Sequence, residues 1–228
     1  MRALLSLMVL IALISVAWNS PVLLPLKWLV IFFHESSHAF ATVLTGGTVQ
    51  SLQIVPEQGG QVISQGGNRF VILSAGYLGS LLCGLLLFML TVFTEKDRWL
   101  TAGLGLLLLI ITIWFAGTLF SQLFGGLMGL SLCLAARYLP AWVNDLICRL
   151  VALTNLLYVP LDIYDDTLAR SHLPSDAAML AEEFGGNSVI WGALWLAISI
   201  LLITLCLWFT VRLETNRKQH NRVTSVHR

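Results

Sequence analysis

Residues 32–40 read Phe-Phe-His-Glu-Ser-Ser-His-Ala-Phe, set within a long apolar run. His34 and His38 are four residues apart, so on a helix they share one face, one turn above the other. Two imidazoles so placed can bind a single Zn2+ ion. Glu35 stands beside them, in the position where the glutamate of an H-E-x-x-H pattern serves as general base toward metal-bound water. At 1.5 Å per residue from Pro21, His34 lies about 20 Å along its helix. An ionisable side chain at hydrocarbon depth costs several kcal/mol unless it is paired or functional. Three in five residues call for a compensating partner, and a divalent cation supplies one. The competing reading is a polar patch that hydrogen-bonds helices together, a task that Ser and Asn perform at lower cost.

A catalytic zinc site takes three protein ligands and keeps a fourth position for water. The other histidines are poorly placed: His172 follows Arg170-Ser171 in a polar stretch, and His220 and His227 lie in a basic tail. A carboxylate is the better third ligand. If the helix over residues 141–161 continues, Asp162, Asp165 and Asp166 fall on one face at i, i+3 and i+4. Any of the three could complete the shell, and the alternative is a hydrated helix end with three solvated carboxylates.

The elements that must hold these groups are membrane helices. Of the 228 residues 57% are hydrophobic and 11% charged, whereas a soluble domain carries roughly 25% charged residues. The mean hydropathy of +0.83 agrees. Seven apolar segments run over about 3–18, 22–45, 69–93, 98–117, 119–139, 141–161 and 188–211, each near the ~20 residues that cross a bilayer. The first could be a signal peptide or a short retained helix. Without a small-x-small cleavage site, the retained helix is the better reading. Trp18, Trp99, Trp142, Trp191 and Trp208 lie near segment ends, as an aromatic belt requires. The expected fold is an all-α polytopic membrane protein with about six to seven transmembrane helices, forming one domain over 1–212. A basic tail over 213–228 follows.

Two polar stretches interrupt the pattern. Residues 46–68 hold two β-prone runs around Pro56-Glu57-Gln58-Gly59-Gly60, with glycine pairs at both ends, and predict a β-hairpin between the second and third helices. It is either a plain connector or a strand edge for an extended peptide. Residues 162–187 read as an acidic loop. Arg217, Lys218, Arg222 and Arg228 favour a cytoplasmic C-terminus, although Arg69 and Arg170 fall on the opposite side and count against it. Cys83, Cys133, Cys148 and Cys206 are scattered through apolar segments without a CxxC and read as small buried hydrophobes. The net charge of +1 leaves no electrostatic footprint for nucleic acid.

These residues resemble the site-2 protease family of intramembrane zinc metallopeptidases, in its compact branch without a PDZ domain. HESSHA (34–39) is similar to the family's HExxHA, SAGYLGS (74–80) to its AGPxxN motif, and NLLYVPLD (155–162) to NxxPxPxLDG. The likeness covers roughly residues 30–200. It implies Asp162 as third zinc ligand, Asn155 as a substrate-holding residue and a membrane-anchored protein as substrate. The chain departs from the pattern at Tyr77, Ser80, Tyr158 and Ile163, and its third motif is one residue shorter. The implied activity is an intramembrane zinc metalloendopeptidase. The alternatives are an idle scaffold or metal-binding protein of the same fold, or an ion transporter that uses His34, Glu35 and Asp162 as a proton relay.

Overall fold

The structure is a computed structural model that describes the backbone of residues 2–170 and 174–226 and the side chains of 8–170 and 174–213. His172 and the tail residues Arg217, Lys218, His220, Arg222, His227 and Arg228 lie outside the described side chains. Among the described residues, eight α-helices and one hairpin follow in the order α1 (Arg2–Val16), α2 (Leu24–Leu44), β1 (Thr48–Val55), β2 (Gly59–Gln65), α3 (Arg69–Phe93), α4 (Asp97–Phe115), α5 (Leu119–Tyr138), α6 (Ala141–Tyr164), α7 (Asp176–Phe184) and α8 (Ser188–Val226).

The bundle is that of a multi-pass integral membrane protein. Among the described residues, five helices are long and apolar enough to cross a membrane: α3, α4, α5, α6 with its continuation to Ala169, and the first part of α8. The first two apolar segments count as a sixth span only as a pair bent by 118°. The bend has a local cause. Ser20 is extended and accepts a hydrogen bond from the Val22 N–H, and Pro21 follows at the first helical position, so the chain restarts as a new helix rather than extending α1.

The hairpin folds back along α2 instead of standing clear of the bundle. At its base the Asn68 N–H donates to Thr45 Oγ1 (2.9 Å). At its tip Trp28 Nε1 donates to the Pro56 carbonyl (3.1 Å). Base and tip are thus about 25 Å apart along α2. β1 and β2 are antiparallel, with an irregularity between Val49 and Ser51. Leu52 and Ile54 of β1 are fully buried. The outer edge of β1 is closed by the α4–α5 link: Gly117 N–H donates to the Leu52 carbonyl (2.9 Å). Ser121 Oγ accepts from Ile54 N–H (2.8 Å) and donates to its carbonyl (3.3 Å). Among the described residues, β2 pairs with β1 alone.

The segment expected as an acidic loop is mostly helical. α6 runs on into a π-helical turn over Asp165–Ala169. A few residues later α7 starts at a Ser175 N-cap, whose hydroxyl accepts the Ala178 N–H (3.2 Å). Two features hold the π-helical turn and α7 in place. Thr167 seats against Gly192, where a Cβ would collide with it. Ala177 and Leu180 bury one face of α7 completely.

Candidate metal centre

α2 places three ionisable groups within little more than one turn, and local contacts hold them there. The intervening Ser36 and Ser37 return their hydroxyls to the carbonyls of Phe32 and Phe33 (2.5 and 2.7 Å), so neither competes for the histidines. His38 Nδ1 donates to the Ile72 carbonyl of α3 (2.7 Å). Because a carbonyl only accepts, the proton sits on Nδ1 and Nε2 presents a lone pair, the outer-shell arrangement usual for a ligating imidazole. The His34 ring lies edge-on to His38, with 4.7 Å between centroids.

α3 comes close enough to roof the pair because residue 76 is glycine. A Cβ there would stand 2.5 Å from Nε2 of both His34 and His38. The Ala75-Gly76 motif thus leaves open the space in which an ion bound by both rings would sit. The next residue, Tyr77, is buried and packs its ring edge-on to His34, at 4.7 Å. Its hydroxyl donates to Asp166 Oδ2 (2.8 Å), while Arg170 holds Asp166 Oδ1 (2.9 Å).

The carboxylate that meets the two imidazoles is Asp176, in the first turn of α7. Its Oδ2 lies 3.1 Å from Nε2 of His34 and 3.1 Å from Nε2 of His38, and the two Nε2 atoms are 3.0 Å apart. Among the described residues, this is the one group of three histidine, cysteine or acidic side chains whose donor atoms converge. The triangle fits zinc. Bonds of about 2.0–2.1 Å in a tetrahedral shell separate neighbouring ligand atoms by about 3.3 Å, so a few tenths of an ångström of expansion accommodate the ion. As an anionic ligand Asp176 would offset the charge of the ion, and ligation requires its carboxyl deprotonated.

Asp162, the aspartate that the resemblance favours, lines the same cavity without joining the donor group. Asp166 is engaged by Tyr77 and Arg170, and Asp165 points outward. Asn155 does not reach the cavity. It is fully buried, its amide nitrogen and oxygen have no hydrogen-bond partner among the described residues, and it packs where a Cβ on Gly84 of α3 would come within 2.9 Å. The reason is axial position: Asn155 shares its face with Asp162 but lies about 10 Å earlier along α6, where Gly84 of α3 packs against it.

Glu35 faces the cavity, only 4% exposed. β2 passes directly over it: a Cβ on Gly60 would stand 2.5 Å from Glu35 Oε1. The cavity, about 630 Å³, lies between this strand, the two histidines and α7.

The model of the peptidase M50B-like family matches residues 7–206. The chain belongs to that family. It is thus a member of a family of membrane zinc metallopeptidases within the site-2 protease group, and the matched range takes in the hairpin and α7 as well as the HESSH helix. No curated protein and no solved structure matched the chain. Within this M50B-like chain, reading the sequence left out Asp176. Its one local signal is Pro174-Ser175-Asp176 ahead of an apolar pair, a helix start. That signal predicts a helix but not where the helix docks.

Proposed function

We propose that this M50B-like protein is an intramembrane zinc metalloendopeptidase that cuts membrane-anchored proteins, with His34, His38 and Asp176 as metal ligands and Glu35 as the general base. The observation that carries the reading is the meeting of three donor atoms from α2 and α7, about 3 Å apart, with a buried glutamate next to them. A bound zinc ion would supply a Lewis acid that lowers the pKa of its water toward about 7 and polarises a carbonyl. Glu35 would accept a proton from that water and pass it to the leaving amine. His38 is held in the ligating tautomer by Ile72, and Gly76 keeps the ligand face free of side chain.

A helical substrate cannot be cut while its carbonyls are bonded within the helix, so it must unwind. The unpaired edge of β2 offers it an extended alternative. β1 is closed on its far side, and β2 is the strand that runs across Glu35. A strand added there lies beside the general base. The C-terminus is assigned to the cytoplasmic side, in keeping with the basic tail.

The test is cleavage of a membrane-anchored substrate by purified protein in lipid vesicles. Glu35→Gln should lower the rate by a factor of about 100 to 10,000 and leave zinc content at wild-type level. Equal processing by wild type and Glu35→Gln would overturn the assignment.

A further inference from the structure

Two of the three donors share one helix, and the third arrives on a nine-residue helix, α7, that is too short to be stable alone. What fixes that helix therefore fixes the site. Its carboxylate end meets the histidines. Its far end is held by residues that touch neither the histidines nor Glu35. Arg69 Nε, in the first turn of α3, donates to Glu183 Oε1 (2.8 Å), and the same guanidinium reaches the sulfur of Met179 (3.9 Å), one turn earlier on α7. Phe70 packs edge-on to Phe184 (5.5 Å) and to Trp191 of α8 (5.9 Å). Trp191 Nε1 in turn donates to the Gly185 carbonyl just past the helix end (3.0 Å). Gly185 and Gly186 both have positive φ, 87° and 86°, a backbone that glycine adopts without strain.

We infer that Arg69 and Phe70 are positioning residues for the metal, which clasp the far end of α7 and so hold Asp176 against His34 and His38. The inference rests on the assignment of Asp176 as a ligand. Seven residues separate Asp176 from Glu183, about 10 Å of helix, so the clasp acts through the helix as a lever. Pro174, Ser175, Asp176 and Met179 are also cavity wall. A turn of α7 about Gly185-Gly186 therefore removes the third donor and opens that wall in one motion. The metal and the clasp close the same helix, so each strengthens the other, and undocking of α7 is the route by which the ion enters and leaves.

The experiment follows zinc release from the full-length, detergent-solubilised, zinc-loaded protein into excess chelator. Asp176→Asn serves as the reference for loss of the ligand. Glu183→Lys, which sets like charges together, should release zinc about fivefold faster than wild type, the size expected for an exposed ion pair. The exchanged pair Arg69→Glu with Glu183→Arg should return the rate to within about twofold of wild type. Phe70→Ala should release it about tenfold faster. In the cobalt-loaded form it should alter the visible ligand-field band, which reports the shell rather than global stability. If Asp176→Asn releases zinc quickly while Glu183→Lys and Phe70→Ala both match wild type, the inference is overturned and the ligand assignment stands. If wild type holds no zinc, or Asp176→Asn keeps it as wild type does, the underlying reading fails instead.

Discussion

α2 and α7 both contribute to the candidate metal centre, and they do so by opposite means. On α2 the donors are neighbours by helical arithmetic: His34 and His38 converge because four residues make about one turn. Any helix with that sequence presents them together. Asp176 has no such guarantee. It lies 138 residues beyond His38 in sequence, on a helix held by α3 and α8. The local half of the site survives any distortion that spares α2. The docked half depends on the packing of α3 and α8.

Perturbing that contrast should produce effects in a definite order. The largest is loss of the docked donor. Asp176→Ala should weaken zinc affinity by more than about 100-fold, beyond the range found for outer-shell partners. Asp162→Ala should leave stoichiometric zinc in place. Metal analysis of the two variants side by side checks this, and zinc loss from Asp162→Ala alone would reverse the assignment. Next comes the roof. Gly76→Ala puts a methyl 2.5 Å from both Nε2 atoms. Backbone of α3 must then shift, so metal content and activity should fall together while membrane insertion is unaffected.

Gly60→Ala should separate the two properties. Its methyl meets Glu35 and not the histidines. Cleavage should fall at least about tenfold, in the range of an impaired general base, with zinc retained. Ser121→Ala acts further away. It deprives the buried Ile54 N–H of its partner, a loss of about 1–3 kcal/mol, visible as faster hydrogen exchange in β1 with the metal site intact. The smallest effect belongs to Tyr77→Phe, which removes one hydrogen bond to Asp166, about 1 kcal/mol. It should change thermal stability slightly and zinc content not at all.

Much of the molecule was legible before any coordinates. Five of the seven apolar segments became spans, and the β-prone runs around Pro56–Gly60 became an antiparallel hairpin. Both follow from local rules of length, hydropathy and turn chemistry. Two expectations changed with the structure. The first two apolar segments are a pair bent by 118°, because Ser20-Pro21 restarts the helix. The stretch 162–187 is largely helical, because Thr167 seats on Gly192 and α7 buries Ala177 and Leu180. The family motifs transferred unevenly. Ala75-Gly76 stands over the histidines, whereas Asn155 is sealed against Gly84 and Asp162 stops at the cavity wall. Tyr77, a departure from the motif, supports His34 and Asp166 together.

By itself the sequence determined that this is a helical membrane protein with two imidazoles on one face of an apolar helix and a glutamate beside them. Those facts depend on residues within a few turns of one another, and backbone geometry converts their spacing directly into distance. Only the tertiary structure decided which of four aspartates (162, 165, 166 and 176) meets the imidazoles and which strand lies over Glu35. Those contacts join elements far apart in the chain. They depend on how closely α3 approaches at Gly76, and on where a nine-residue helix is clasped by Arg69 and Phe70.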